Sequence, residues 1–307
     1  MDRHATQLLY TGLAPNTRST YASAQKRYLN FCSTYGLNAV PINEQTSARF
    51  IAHLSLSAIN VRSIRVYLSA VRDLHVMSGL QPPEIYTPRI KLMMKSLHKS
   101  HDQPKQVKPI TFRILLQCYS LFTQTRDDLM MWSAITLCFF GCLRASELFP
   151  PITEIHFAPR LSDLIFCKDE VPYLQLKVHK SKTAPHGFKV VIGCSGTNVC
   201  AYCSVAKYVK ISGLLPSSFL FSYSTGQMVT KYQFLCITRL MLLRINLDPC
   251  EYSTHSYRAG AATSASMSGF SEHEIKQLGH WKSDVYQSYI RDNYKQLAAF
   301  SSRIAQS

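Results

Sequence analysis

Acidic side chains are scarce: 18 Asp and Glu stand against 34 Lys and Arg, and charged residues of either sign make up only 17% of the 307 positions. The resulting net charge of +16 favours a polyanionic partner. Long apolar runs are missing as well. No window reaches the ~18 uninterrupted apolar residues that a membrane span requires, and the opening MDRHATQLLYTGLAPNT has no apolar run behind a basic segment. The expectation is a soluble, unexported protein that does not engage a membrane. Internal repeats and low-complexity tracts are absent, as is any compact run of five or more Lys or Arg of the kind that marks nuclear localisation. Metal-ligand spacing is also lacking. The one C-x-x-C, Cys200 to Cys203, has neither a second pair nor an H-x-x-x-H beside it, so it reads as buried helix residues, and no metal or cofactor is expected. Most of the ten cysteines sit in apolar runs such as ITLCFFGCL and QFLCITRL, where a reduced thiol behaves as a small hydrophobe, which fits a reducing compartment.

What is present is enough apolar material, 46% of the residues, for real cores in about two domains. The excess charge is uneven: residues 1–108 carry 14 basic and 5 acidic side chains, residues 109–307 carry 20 and 13. In the first third, Asn16 or Thr17 can cap a helix through STYASAQKRYLNFCSTYG, with Tyr21, Ala24, Tyr28, Phe31 and Tyr35 on one face. Further helices are predicted near 45–56, near 62–79 with Arg62, Arg65 and Arg72 turned away from Ile64, Tyr67, Leu68, Val71 and Leu74, and through PRIKLMMKSLHKS. Four helices without a strand pattern predict an all-helical domain over 1–105 whose cations suit phosphate contacts. The polar, proline-containing HKSHDQPKQVKPIT reads as a linker, with a boundary near residues 100–109. In the second domain, 106–307, helices are predicted at 110–124 and 126–141. A small antiparallel sheet follows between 162 and 193, split by a polar turn around Ser181 to Gly187, and helices dominate from 199 onwards.

Four segments place strong polar groups beside small or apolar residues. FFGCLRASELF breaks an apolar helix pattern at Gly141 and follows it with Arg144 and Glu147, which as a bare pattern is a buried ion pair. KVHKSKTAPHG gathers three lysines near a hairpin turn, where a solvated tip is the structural alternative. STHSYRAGAATSASMSG sets His255 and Arg258 three apart at the start of a small-residue helix, so both can lie on one face. LGHWKSDVYQSYIR holds His280, Trp281, Tyr286 and Tyr289.

In this order the segments resemble the tyrosine recombinases, or phage-integrase family: an Arg in GxLRxSEL, a hairpin lysine, H-x-x-R opening a helix, then LGH with a tyrosine nine residues after its histidine. The resemblance covers essentially the whole chain, and the SKTxxxG and WKSDxYxxYIR segments are most similar to eukaryotic transposon-encoded members of the Crypton and tyrosine-recombinase retrotransposon kind. It implies a mainly α fold with a small antiparallel β-sheet, in which an N-terminal helical, SAM-like DNA-clamping domain joins a mixed α/β catalytic domain. It also implies double-stranded DNA as partner, a homotetramer on two duplexes, and nuclear residence in a eukaryotic source.

By resemblance, Arg144 and Arg258 clamp the scissile phosphate, a task that suits planar guanidinium groups. His280 donates to a non-bridging oxygen, and His255 serves as proton acceptor or as partner of the tyrosine. Lys182 is the general acid for the departing 5′ oxygen, with Lys180 the runner-up and Lys177 and Lys189 behind it, while Glu147 orients Arg144 or its helix. Tyr289 is the nucleophile by its interval of nine from His280; Tyr286, one turn away, is not separated from it by sequence geometry and reads otherwise as core packing beside Trp281. Residues 294–307 are mildly amphipathic and suit exchange with a neighbouring protomer or folding onto their own domain. The rival functions are a transposon-derived DNA-binding protein without catalysis, and a topoisomerase IB or resolvase-like enzyme using the same chemistry.

Overall fold

Asparagine and proline punctuate the helices of the first unit. In the computed structural model, which describes residues 2–100, 107–122, 125–281, 283–288 and 290, the chain divides into two compact units, Met1–Lys105 and Gln106–Ser307. Among the described residues, five helices build the first: α1 (Asp2–Thr11), α2 (Pro15–Thr34), α3 (Glu44–Leu56), α4 (Val61–Met77) and α5 (Pro88–Ser100). The Asn43 side chain accepts from the Thr46 N–H at 2.8 Å and that of Asn60 from the Ser63 N–H at 2.8 Å, each satisfying an orphan donor of a first turn. The cap expected at Asn16 or Thr17 is displaced, because Pro15, whose fixed φ suits a first helical position, begins α2 after Ala14.

Tyr28, Phe31, Phe50, Ile51, Leu54, Ile64, Leu68, Val71, Ile90 and Met94 form this unit's core. Tyr35, expected on the buried face of α2, is 59% exposed, since it lies past the end of the helix. His75 is buried and structural: its Nε2 accepts the Ile42 N–H at 2.9 Å and its Nδ1 lies 2.8 Å from the Val71 carbonyl. Arg62, Arg65 and Arg72 are exposed. Arg65 lines one groove with Tyr86, Lys91, Lys95, His98 and Lys99.

The second unit begins with α6 (Phe112–Cys118), which tightens into a 3₁₀ turn over Tyr119–Phe122. Next comes α7 (Arg126–Phe140), apolar on all sides and buried from Leu129 to Phe139, as a central helix must be. The short α8 (Ala145–Leu148) follows at once. Strands β1 (Leu164–Cys167), β2 (Tyr173–Val178) and β3 (Phe188–Gly193) make an antiparallel sheet in that order, with Leu176 opposite Val190 and Lys177 opposite Lys189. Strand alternation buries Leu174, Leu176 and Val178 and sends Lys177 and Lys189 to solvent. The chain then runs through α9 (Ala201–Ser212), α10 (Lys231–Arg244), α11 (Ser256–Met267) and α12 (Glu272–Leu278) to a 3₁₀ turn at Asp284–Ser288.

Helix α7 packs on α9 and α11, and the core gathers Trp132, Phe149, Tyr208, Phe221, Phe234 and Tyr257 around it. Small residues let α11 come close. A Cβ added at Gly260 would meet the Ile110 carbonyl oxygen at 1.7 Å, and the Ile110 N–H donates to the Ser256 carbonyl at 2.9 Å, so that position admits glycine alone. No helix among the described residues is long and apolar enough to cross a membrane.

Candidate functional site

The break after α7 is where the site begins. Cys142 takes a left-handed φ of 48°, unusual for a residue with a Cβ, and turns the chain out of the helix so that Arg144 emerges at the head of α8. Glu147, 3% exposed, holds it there. Its carboxylate accepts the Arg144 backbone N–H at 2.8 Å and the Arg144 Nη1 at 2.9 Å. Ser181, in the β2–β3 turn, completes a triangle: it accepts from the same Nη1 at 3.0 Å and donates to Glu147 at 2.7 Å. The glutamate therefore orients Arg144. Ser181 is a participant that sequence reading missed, its only signal being that it precedes the hairpin lysine.

Arg258 is 2% exposed, inside α11, and bridges two turns of the chain. One Nη donates to the Cys142 carbonyl and the other to the Gly279 carbonyl at 2.6 Å, while the guanidinium lies 4.3 Å above the Trp281 ring. The second turn resembles the first in its backbone, since His280 also has a left-handed φ, 52°. Gly279 is a necessity there, because a Cβ would lie 1.9 Å from the Trp281 ring. Two non-glycine residues in a disfavoured conformation flanking one buried guanidinium are a local cost that the surrounding contacts enforce.

His280 presents its ring 4.5 Å from Phe188 at the start of β3, which brings the hairpin to this side of the site. Partial loss of hydration lowers its pKa, with the Arg258 charge adding to that and Glu147 opposing it. His255 occupies the cap position of α11. Its pKa is lowered as well, by partial withdrawal from water and then by the cations of Lys231, Arg144 and Arg258. Lys231, the first residue of α10, is a further cation that no spacing in the sequence announced.

The hairpin lysines part company. Lys180 is engaged, 2.7 Å from Glu154 and 4.8 Å above the Phe157 ring. Lys182 stands exposed at the tip, with no ion-pair or hydrogen-bond partner among the described residues. The turn around it is ordered by reciprocal Ser181 and Ala184 backbone hydrogen bonds at 3.0 and 3.3 Å. Gly187 closes that turn at φ +77°, where a Cβ would meet the Val178 carbonyl oxygen at 2.1 Å.

Arg144, His255, Arg258, His280 and the turn that carries Lys182 thus converge. Tyr289 lies outside the described residues, as do 294–307. Tyr286 is 1% exposed, its ring 6.0 Å from that of Trp281 and 5.5 Å below the Lys276 ammonium, and burial raises its pKa. The cysteines depart from expectation. Cys200 is the cap of α9 and not an interior helix residue, and Cys194, just past β3, brings a third thiol to the Cys200–Cys203 pair.

Residues 6–78 match the family model of the phage integrase N-terminal SAM-like domain. No curated protein matches the chain in sequence. Among solved structures, it is similar to the Tn1549 transposon integrase in complex with circular intermediate DNA, at 13% identity over 97% of each chain with a TM-score of 0.60. The XerH site-specific recombinase bound to a palindromic difH substrate aligns at 13% identity over 85% of this chain and 70% of that one, with a TM-score of 0.62. A lambda integrase dimer bound to a COC′ core site aligns at 16% identity, 95% and 76% coverage, with a TM-score of 0.61. The likeness is one of fold: a SAM-like N-terminal domain and a tyrosine-recombinase catalytic fold, mostly helical with one small antiparallel sheet.

Proposed function

We propose, from the premise of that fold, that the protein is a site-specific DNA recombinase or integrase. It would cut and rejoin duplex DNA by metal-independent transesterification through a 3′-phosphotyrosyl intermediate. The observation that carries the reading is the anchoring of two guanidinium groups, Arg144 by Glu147 and Ser181, and Arg258 by the Cys142 and Gly279 carbonyls, beside two histidines whose pKa values are lowered first by partial loss of hydration and then by neighbouring cations. Cations already fixed in place stabilise charge that develops on a phosphoryl group without reorganising during the reaction.

In this proposal the Tyr289 oxygen attacks the scissile phosphorus and its proton passes to His255, which its lowered pKa keeps neutral and able to accept. Arg144 and Arg258 neutralise the non-bridging oxygens, His280 donates to one of them, and the P–O5′ bond breaks as Lys182 protonates the leaving oxygen. One P–O bond forms as one breaks, so rejoining requires no ATP. The similar Tn1549 integrase is in complex with DNA, XerH with its difH substrate and lambda integrase with a core site, which supports double-stranded DNA as partner. A homotetramer on two duplexes, an origin in a eukaryotic transposable element and nuclear residence in such a host belong to the same proposal.

The test begins by selecting bound sites from a random duplex pool and converting them to nicked suicide substrates. A denaturant-resistant protein–DNA adduct is expected that vanishes in Tyr289→Phe and persists in Tyr286→Phe. Loss in Tyr286→Phe alone would reassign the nucleophile. Tight binding without an adduct on any selected site would leave a DNA-binding protein without catalysis.

A further inference from the structure

Three sulfur atoms meet where the sheet hands over to α9. Cys194 follows the last residue of β3, Cys200 caps α9 and Cys203 lies in its first turn. The Cys194 and Cys203 Sγ atoms are 3.5 Å apart, those of Cys194 and Cys200 3.9 Å apart, and all three lie within 4.8 Å of one another. A tetrahedral zinc with Zn–S bonds of ~2.3 Å sets its sulfur ligands about 3.8 Å apart, so the cluster already has close to the edge lengths of one face of that tetrahedron.

The backbone around the cluster is arranged for thiolate. The Ser195 N–H donates to the Cys200 sulfur at 3.3 Å and the Cys203 N–H to the same atom at 3.5 Å, both beside the N-terminus of a 12-residue helix. The cysteines of the apolar core are enclosed instead: Cys118 and Cys142 are fully buried. Cys194 and Cys203 are only half-buried, so an ion can enter and a solvent molecule can take a fourth position.

We propose that Cys194, Cys200 and Cys203 bind one thiophilic d¹⁰ cation, zinc, as three thiolates with solvent as the fourth ligand. Binding releases the three thiol protons, and no redox change is involved. Among the described residues no other Cys, His, Asp or Glu joins the group. The ion clips the end of β3 to the start of α9, across a five-residue connection that the sheet and helix ladders leave free. It sits at the end of the β2–β3 hairpin opposite the Ser181–Lys182 turn, so it acts on the hairpin's base and not on a reacting phosphate.

The test is metal analysis of the full chain purified under reducing conditions, followed by replacement with cobalt. One equivalent of zinc is expected, and cobalt loading should give the intense visible bands of a tetrahedral thiolate complex together with sulfur-to-metal charge transfer. Cys194→Ser and Cys203→Ser should each weaken cobalt binding by at least about 100-fold, more than an outer partner is worth, while Cys236→Ser on α10 should retain it. Wild-type chain that carries no zinc and gives no thiolate–cobalt bands would overturn the proposal. So would wild-type affinity in both variants, or a Cys194–Cys203 disulfide in the non-reduced peptide map. The cobalt titration of wild-type chain decides the matter even if a serine variant fails to fold.

Discussion

The first unit wears its cations on the outside, while the second draws two of its own inward. Arg62, Arg65, Arg72, Lys91 and Lys95 are exposed around a core of aromatic and aliphatic side chains. Arg258 is 2% exposed on two carbonyls and an indole face, and Arg144 rests against a buried carboxylate. An exposed lysine or arginine meets phosphate as one of many interchangeable contacts, each displacing about one condensed counterion. A guanidinium already fixed by its surroundings has little orientational freedom left to lose, so more of its interaction goes to a single geometry. Under the proposed function, one region suits affinity spread over a backbone and the other suits reactivity at one phosphorus.

The sharpest way to break this comparison is to empty the inner position. Arg258→Ala is expected to abolish adduct formation and also to destabilise the second unit, by about 1–3 kcal/mol for each of the Cys142 and Gly279 carbonyls left unpaired. Urea denaturation checks the stability and a suicide-substrate gel the adduct. Retained adduct with unchanged stability would show that the buried arginine is interchangeable with the outer ones.

Next in size is Lys182→Ala. The side chain has no partner among the described residues, so stability should stay within about 0.5 kcal/mol while cleavage slows by roughly 10²–10⁴-fold, the usual worth of a positioned acid. A substrate whose bridging 5′ oxygen is replaced by sulfur needs no acid to leave and should restore most of that rate. Equal slowing on both substrates would remove the acid role.

Smaller effects belong to the outer cations. Arg65→Ala or Lys95→Ala should weaken binding alike on all DNA sequences and reduce the slope of log K against log salt by about 1 each, with adduct yield at saturating protein unchanged. The smallest effect is on pH. His255 and His280 both have pKa values lowered from 6.5, so each binds its proton less well folded than unfolded. Their contribution to stability is complete above pH 6.5 and is lost as pH falls from there through the lowered values. The urea midpoint and the adduct rate should therefore both fall between pH 7 and pH 5, the rate because a protonated His255 no longer accepts, and His255→Gln should flatten the rate profile.

Periodicity and punctuation made most elements legible: helices α3 to α5 follow their apolar spacing, and the turn at Ser181 to Gly187 separates two β runs as predicted. The first helix, Asp2–Thr11, was not legible, because Leu8, Leu9 and Tyr10 are each more than half exposed and form no stripe that a core would select. In the site, Glu147 was readable from its spacing to Arg144 along one helical turn. Ser181 was not, because its contacts lie 37 and 34 residues away and a serine before a lysine carries no pattern. The left-handed backbones at Cys142 and His280 were equally hidden, since nothing in either side chain demands that conformation. The third thiol escaped for a similar reason. Cys194 is six residues before Cys200, an interval that means nothing until a strand end and a helix start are brought together.

The hairpin of β2 and β3 has a mechanical side. Counted at about 3.4 Å per residue, the arm from Cys194 to the Lys182 turn is roughly 20 Å long. Over that length a swing of about 3° at the base moves the tip by ~1 Å, a displacement that alone can change a rate by ~10²-fold. In the proposed reaction the angle at which β3 meets α9 would therefore set the rate, and substitutions around that pivot, far from the reacting phosphate, would tune it by leverage.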